Sequence, residues 1–326
     1  MTSPLPTLSV VLPNYNHSAH LPATLESILG QSAPPTEVII IDDCSTDNSV
    51  TVIEEFARRH SSIRFLRNEK NRGAVASFNR GIDEAKGDYL VMAPADDEMR
   101  PGFLEKSLHA LGRYPQAGAC SSVCQYRDMS SGLTWLLGTS LGNRERFIGP
   151  DEMVALGRRG QLLVATSSMI VKRRDFLAVG KYRAELAWHC DWFAYFAVAF
   201  RHGMCFVPEV LAEFRIYKDG FSGKGMRQPE RQREALRQIL ETLELPEFAD
   251  VSQRFRQCAA LASFGNPMFR LIAGHRAYWK YLTPLYLRAW AWWSAKLAAR
   301  RMLPDSVARL CLRLAGYQRA PAAPTP

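Results

Sequence analysis

The sequence predicts an α/β protein: a mostly parallel sheet flanked by helices, followed by a C-terminal helical region. Three observations carry this. Over the first hundred residues, short apolar runs alternate with segments of helical periodicity. That β-α-β-α order suits a parallel sheet with right-handed crossovers. After about Gln228 the text turns helical and basic.

The elements follow in order. Leu8-Ser9-Val10-Val11-Leu12 reads as the first strand. Leu21, Leu25, Ile28 and Leu29 fall at helical spacing between about His20 and Leu29. Glu37-Val38-Ile39-Ile40-Ile41 is the second strand, and Ser45-Thr46-Asp47 gives start signals for a helix through Val52, Ile53 and Phe56. Ile63 to Leu66 is a short third strand, and Gly73 opens a helix carrying Val75, Phe78 and Ile82. The fourth strand runs from Asp88 to Ala93, and Pro101 suits the first turn of the helix with Phe103, Leu104 and Leu108. Beyond residue 115 the pattern loosens. Ser167 to Val171 reads as a strand and Arg173 to Val179 as a short helix. Trp192, Phe193, Phe196 and Phe200 form an apolar helical stripe. Cys205–Val207 and Leu211–Phe214 read as two short strands. A break is expected near Gly265-Asn266-Pro267, and Pro-rich 320–326 predicts disorder.

Composition narrows the class. With 326 residues and 47% hydrophobic content, the chain can bury a large core. It has no apolar run of the ~18 residues a membrane span needs, and its first residues carry no secretion pattern. Seven scattered cysteines form neither a disulfide framework nor a zinc set, so a reducing, cytoplasmic setting is expected. The net charge of +9 is uneven: residues 1–227 hold 26 Lys and Arg against 25 Asp and Glu, residues 228–326 hold 15 against 7. A basic tail suits anionic lipid or nucleic acid, and an ordinary solvated helical surface gives the same signal. The front has no positive excess and no nucleic-acid motif, so no nucleic-acid partner is expected.

The strand ends carry the chemistry. In a parallel sheet, ligands bind beyond the carboxyl ends of the strands. The four ends deliver Pro13-Asn14-Tyr15-Asn16, Asp42-Asp43, Asn71-Arg72-Gly73 and Asp96-Asp97. An aromatic ring, carboxylates and a guanidinium on one edge suit a divalent cation and a nucleotide diphosphate. Each has a plainer reading as well: Asp42 and Asp43 as turn residues, Asp47 as a helix cap, Arg72 as surface.

Ser9 to Asn16, Glu37 to Asp47 and the Asp96-Asp97 pair, with Asn71-Arg72-Gly73 and Ala85 to Tyr89 between them, resemble the family 2 glycosyltransferases over roughly residues 7 to 222. The resemblance implies the GT-A fold and an inverting transfer from a nucleotide-diphosphate sugar to an acceptor hydroxyl. The acceptor would be a glycan or a lipid-linked one, in bacterial surface-polysaccharide or glycolipid synthesis. Carried onto this sequence, it places Pro13, Tyr15, Asp43, Arg72 and Asp96 at the nucleotide and Asp97 at Mg²⁺ or Mn²⁺. His189-Cys190-Asp191-Trp192 matches the segment that supplies the catalytic base, here Asp191. Asp191 also precedes an apolar helix, where an N-cap reading stands beside the base. Two positions depart from the family's pattern. Pro94 and Ala95 stand where the acidic run often begins, and Tyr217 stands where many members carry a histidine.

The same reading divides the chain into a catalytic domain at 1–227, with a nucleotide-sugar half at about 1–115 and an acceptor half at about 116–227. A basic helical region follows at 228–319 and a disordered tail at 320–326. Within 278–303, Tyr278, Trp279, Tyr281, Tyr286, Trp290, Trp292 and Trp293 stand beside Lys280, Arg288, Lys296, Arg300 and Arg301. Aromatic and basic residues together suit a peripheral contact with the inner membrane face. The alternative is packing on the catalytic domain or on a second subunit of an oligomer. Two other functions compete. A nucleotidyltransferase would open with a Gly-rich loop, which Pro13-Asn14-Tyr15-Asn16-His17 lacks. A non-catalytic basic binding module would use the tail for nucleic acid, and the front half, without a positive excess or a recognisable nucleic-acid motif, counts against it.

Overall fold

The computed structural model describes residues 5–162, 164–217, 220–302 and 318–319. The side chains of Lys296, Arg300 and Arg301 and the tail 320–326 lie outside the described residues. The chain runs β1 (Leu8–Asn14), α1 (Leu21–Leu29), β2 (Glu37–Asp42), α2 (Ser49–Arg59), β3 (Ile63–Arg67), α3 (Ala74–Glu84), β4 (Tyr89–Met92) and β5 (Glu98–Met99). It continues through α4 (Phe103–Arg113), β6 (Ala119–Asp128), β7 (Leu133–Leu137), β8 (Arg146–Ile148), α5 (Pro150–Arg158), β9 (Met169–Lys172), α6 (Arg173–Ala178), α7 (Cys190–His202) and β10 (Met204–Ile216). Helices α8 (Phe221–Met226), α9 (Pro229–Glu244), α10 (Ala249–Cys258), α11 (Gly265–Gly274) and α12 (Pro284–Met302) follow, and β11 (Gln318–Arg319) returns to the sheet.

One sheet organises these elements in the order β11-β7-β6-β9-β4-β1-β2-β3, with β10 along β6 and joined to β5 and β8. The pairings β1–β2, β1–β4, β2–β3 and β6–β10 are parallel. Shorter antiparallel joins connect the two halves through β9. Every residue of β2 is buried. Val38 and Ile40 enter one apolar cluster with Leu21, Leu25 and Ile53, while Ile39 and Ile41 enter another with Ile82 and Leu90. A strand covered on both faces reads as an unbroken Val/Ile run, which is why it was visible in the sequence. Helix α3 lies very close to the sheet: a Cβ added at Gly81 would stand 2.4 Å from Val11 Cγ1 and 2.5 Å from Ile41 Cδ1.

Four expectations need correction. The two short strands around Cys205 and Leu211 are one strand, β10, irregular between Val207 and Ala212. Ser167 and Ser168 lie in a 3₁₀ turn, and the strand begins at Met169. The helical break starts before Gly265: α10 ends at Cys258, Ala259 takes a left-handed φ of 53°, and Gly265 already opens α11. Within the region 228–319, expected to be helical, Gln318 and Arg319 instead pair as strand with Thr134 and Leu133 of β7.

Helices α9 to α12 share a core with α7. Trp192, Phe196 and Phe200 pack on Phe255 of α10 with ring centroids 5.2, 6.2 and 5.1 Å away. Phe193 meets Phe248 edge-on at 5.1 Å, and Trp192 meets Phe264 at 4.9 Å. Among the described residues, no helix is long and apolar enough to cross a membrane.

Candidate active site

The loops after β1, β2, β3 and β4 meet at one sheet edge, held by short polar side chains. Asn14, buried at the end of β1, donates through Nδ2 to Asp42 Oδ2 at 2.9 Å and to Ser45 Oγ at 3.1 Å. Asn16, with φ of 56°, accepts the Thr46 N–H at 2.8 Å through Oδ1. These contacts tie the first two loops together and leave Tyr15 43% exposed between them. Pro13 is the next-to-last residue of β1 and half-buried.

The carboxylates of the first pair are occupied by the scaffold. Asp42 is fully buried; Oδ1 accepts the Ser45 N–H at 2.9 Å and lies 3.7 Å from Arg67 Nε. Asp43 accepts the N–H groups of Arg72 and Gly73 at 2.9 and 2.7 Å and the Asn68 amide at 2.6 Å. In this arrangement Asp43 fixes the turn into α3, where Gly73 has φ of 87°. The Arg72 side chain is exposed. Asp47 accepts the Ser49 and Ser18 N–H groups at 3.0 and 2.9 Å, which matches the cap-like reading. Burial works against its ionisation, but these N–H groups and the Ser49 and Ser18 hydroxyls outweigh it and hold the carboxyl down at about 2.

The second pair is different. Thr24 of α1 donates its hydroxyl to the carbonyls of Ala95 and Asp97, at 2.9 and 3.1 Å, and pins the turn after β4. Asp96 is half-buried and Asp97 only 9% exposed. Asp97 Oδ1 accepts the Arg215 N–H at 3.2 Å. Its Oδ2 is buried without a hydrogen-bond partner; Ser167 approaches the carboxyl but does not satisfy that atom. Burial, then the neighbouring charge of Asp96, pushes the Asp97 carboxyl well above the usual carboxylate range. A buried oxygen of this kind is costly unless something pairs with it. Among the described residues no three His, Cys, Asp or Glu side chains gather into a closed metal cage. The unpaired Asp97 Oδ2 fits an open cation site, one to which the protein contributes a carboxylate oxygen.

Asp191 sits in the first turn of α7. Oδ1 accepts the Trp192 N–H at 2.6 Å, and Oδ2 accepts the Thr166 hydroxyl at 2.9 Å. Part of the residue stays open to solvent, yet the carboxyl lies deep, and burial raises it above its ordinary value. Burial, then the charges of Cys124, Asp191 and Asp97, pushes the Tyr126 hydroxyl up. Thr166, which holds Asp191, is followed by Ser167, and Ser167 lines a small cavity together with Asp97. Residues far apart in the chain thus converge on one place. His189 is 7% exposed, contacts Gln232 Oε1 at 3.3 Å, and is driven down to about 4 by burial. It is neutral near pH 7 and unsuited to hold a charge there. Tyr217 meets His20 at a tilt, ring centroids 5.4 Å apart.

Several site residues were not flagged by the sequence. Glu213 is buried among Arg100, Arg127 and Arg215, at 3.3, 2.9 and 3.3 Å. Burial raises its carboxyl, and the three guanidiniums outweigh that, leaving it below the usual range. Asn68, Thr166 and Tyr126 also escaped notice. The alternation of Gln125-Tyr126-Arg127 beside Glu213-Phe214-Arg215 was the available signal.

A sequence profile described as Glycosyl transferase family 2 matches residues 9–179. The chain is 35% identical over 108 residues to the putative teichuronic acid biosynthesis glycosyltransferase TuaG of Bacillus subtilis, covering 33% of this chain and 43% of that one. It is 30% identical over 191 residues to the uncharacterized glycosyltransferase YibD of Escherichia coli, covering 56% and 54%. The chain thus spans about half the length of these relatives. Its fold is similar to that of S. aureus TarS 1–349 in complex with UDP-GlcNAc, with a TM-score of 0.61 at 14% identity over 89% of this chain and 92% of that one. It is also similar to the mannosyltransferase PcManGT of Pyrobaculum calidifontis in complex with GDP-Man and Mn²⁺, with a TM-score of 0.53 at 19% identity over 89% and 87%. The matched profile covers more than half of the chain, and the sheet is that of the GT-A transferases: the protein belongs to glycosyl transferase family 2.

Proposed function

We propose that this chain is an inverting glycosyltransferase that moves a sugar from a nucleotide-diphosphate donor to an acceptor hydroxyl in the synthesis of a bacterial surface polysaccharide or glycolipid. The observation that carries this reading is the buried, unpaired Oδ2 of Asp97 in a cavity that Ser167 also lines, with Ser167 next in the chain to Thr166, which holds Asp191. A relative named for teichuronic acid biosynthesis, and neighbours in complex with UDP-GlcNAc and with GDP-Man and Mn²⁺, support it. Tyr15, Pro13, Arg72 and Asp96 line the nucleotide end, and Asp43 acts there by holding the Arg72–Gly73 turn. Asp97 would hold Mg²⁺ or Mn²⁺, and the ion would supply positive charge for the departing diphosphate.

The acceptor oxygen forms its bond to the anomeric carbon as the bond to the diphosphate breaks on the opposite face. Its proton passes to Asp191. Positioned general bases contribute on the order of 10²–10⁴ in rate, and their effectiveness grows as their pKa moves toward the working pH. The raised carboxyl of Asp191, locked by Thr166 and the Trp192 N–H, is suited to that task.

Melting curves with UDP, GDP and dTDP, each with and without Mn²⁺, test the donor half. One diphosphate with Mn²⁺ is expected to raise Tm by a few degrees, because ligand at ~100 Kd adds about 2.7 kcal/mol by mass action. The shift should shrink in Asp97→Asn. No shift with any diphosphate, or a shift indifferent to Asp97, overturns the assignment.

The C-terminal helices are read as a peripheral contact with an anionic membrane. From Val251 to Pro304 the sequence holds nine Lys and Arg and no Asp or Glu. Trp279, Leu287 and Trp292 are 54%, 41% and 68% exposed, near exposed Arg276 and Arg288. Other aromatics of the same stretch turn inward. Tyr281 and Tyr286 are 1% exposed, and Trp290 stacks on Phe269 at 4.1 Å. Basic residues near an anionic surface are each worth about 1 kcal/mol. The chain is expected to sediment with phosphatidylglycerol-containing vesicles and not with pure phosphatidylcholine ones. Binding should weaken in high salt and in the Trp292→Ser/Arg288→Glu double variant; equal partitioning in all cases removes this partner.

A further inference from the structure

Strands β6, β7 and β10 carry a row of neighbouring aromatic side chains beside the segments that hold Asp97 and Asp191. Tyr126 of β6 pairs across the ladder with Trp135 of β7, ring centroids 5.5 Å apart and planes 29° from parallel. Phe214 of β10 lies 5.0 Å from Tyr126 on its other side. All three residues are partly buried, none of them fully enclosed. Behind them Cys124, Ala165 and Ala212 are buried and Leu137 packs against the same group, so the strip has a firm backing. Its edges adjoin the chemistry. Phe214 precedes Arg215, whose N–H reaches Asp97 at 3.2 Å, and Ala165 precedes Thr166, whose hydroxyl reaches Asp191 at 2.9 Å.

A satellite core alone does not account for this placement. Ligand sites pair apolar walls with a few placed polar groups, and here the wall adjoins the one carboxylate assigned to take a proton. An acceptor hydroxyl at Asp191 must extend its carrier onto whatever lies beside it. A sugar ring offers a flat C–H face for an aromatic wall and hydroxyls for carboxylates, which a bare alkyl alcohol does not. We propose that Tyr126, Trp135 and Phe214 form an acceptor shelf on which a hexopyranose ring stacks through its C–H face, so that the acceptor is a carbohydrate at its reacting end.

The proposal rests on the transferase reading, and its test separates the two. Release of nucleotide from UDP-glucose, UDP-N-acetylglucosamine and GDP-mannose is measured in water alone and then with p-nitrophenyl glycosides of glucose, galactose, mannose and N-acetylglucosamine. The full chain, Trp135→Ala and Trp135→Phe are compared. Turnover in water is measured first for each of the three and serves as its own baseline. At least one glycoside should accelerate release by the unaltered chain. Its KM should rise about tenfold or more in Trp135→Ala, with kcat unchanged, and stay within about twofold in Trp135→Phe, since a ring is kept. A glycoside KM unmoved by Trp135→Ala overturns the shelf, as does donor turnover that no glycoside stimulates. Release from no donor by any variant sinks the transferase reading, and the shelf with it.

Discussion

Asp191→Asn is expected to lower kcat by about 10²–10⁴ while leaving Tm at pH 7 unchanged or higher. The two effects come from one cause. The Asp191 carboxyl is raised by burial, so ionising it costs more in the folded chain than in the unfolded one. A carboxyl whose folded pKa lies above its unfolded value contributes most below the unfolded value and loses that contribution as pH rises through the folded value. At pH 7 the native protein therefore carries a penalty that asparagine does not. Asparagine can still accept the Trp192 N–H and share a hydrogen bond with Thr166, so the fold has no reason to move. What it cannot do is take a proton. Steady-state kinetics with the donor identified by melting shifts, run beside thermal denaturation, check both halves. The unaltered enzyme should lose rate as pH falls through the raised carboxyl, and the variant's residual rate should not. An unchanged kcat would remove the base and leave only the helix-cap role.

The legible part of this protein is the part where burial is simplest. Val38 to Ile41 lies in a strand with neighbours on both sides and helices on both faces, so its sequence is uniformly apolar. The strand ends then point to one edge by geometry alone, and Asp97 and Asp191 could be named from their motifs. Strand β6 could not. Ser121 and Ser122 are fully buried within it, where small side chains fit against β9 and β10, and a hydrophobic pattern does not register them. Strand β10 was read as two because Pro208-Glu209 falls at its irregularity. The partition of polar work was also invisible. Asp43 looks in the sequence like a group free for a ligand, yet its oxygens already receive Arg72, Gly73 and Asn68. The aromatic wall of Tyr126, Trp135 and Phe214 comes from three strands, and only pairing register brings it together.

The second large effect lies far from any ligand. Phe255→Ala is expected to destabilise the whole chain by about 3–5 kcal/mol, the range for removing a buried phenylalanine. Phe255 is 1% exposed and meets Trp192, Phe196 and Phe200, three side chains of α7, the helix whose first turn carries Asp191. Truncating it opens a void along α7 that rigid rings around it cannot easily fill. An exposed ring of the same region is the control: Trp279→Ala should change stability by no more than about 0.5 kcal/mol. Urea unfolding of the two variants makes the comparison. If Phe255→Ala matched Trp279→Ala, the C-terminal helices would be an appendage. A loss of the expected size means instead that they clamp the helix carrying the base. A chain cut after residue 227 would then expose the aromatic face of α7, and it should aggregate rather than yield a smaller enzyme. For the same reason, membrane contact is better tested by changing exposed Trp292 and Arg288 than by deleting residues 274–326, which would pull buried Tyr281 and Tyr286 out of the core.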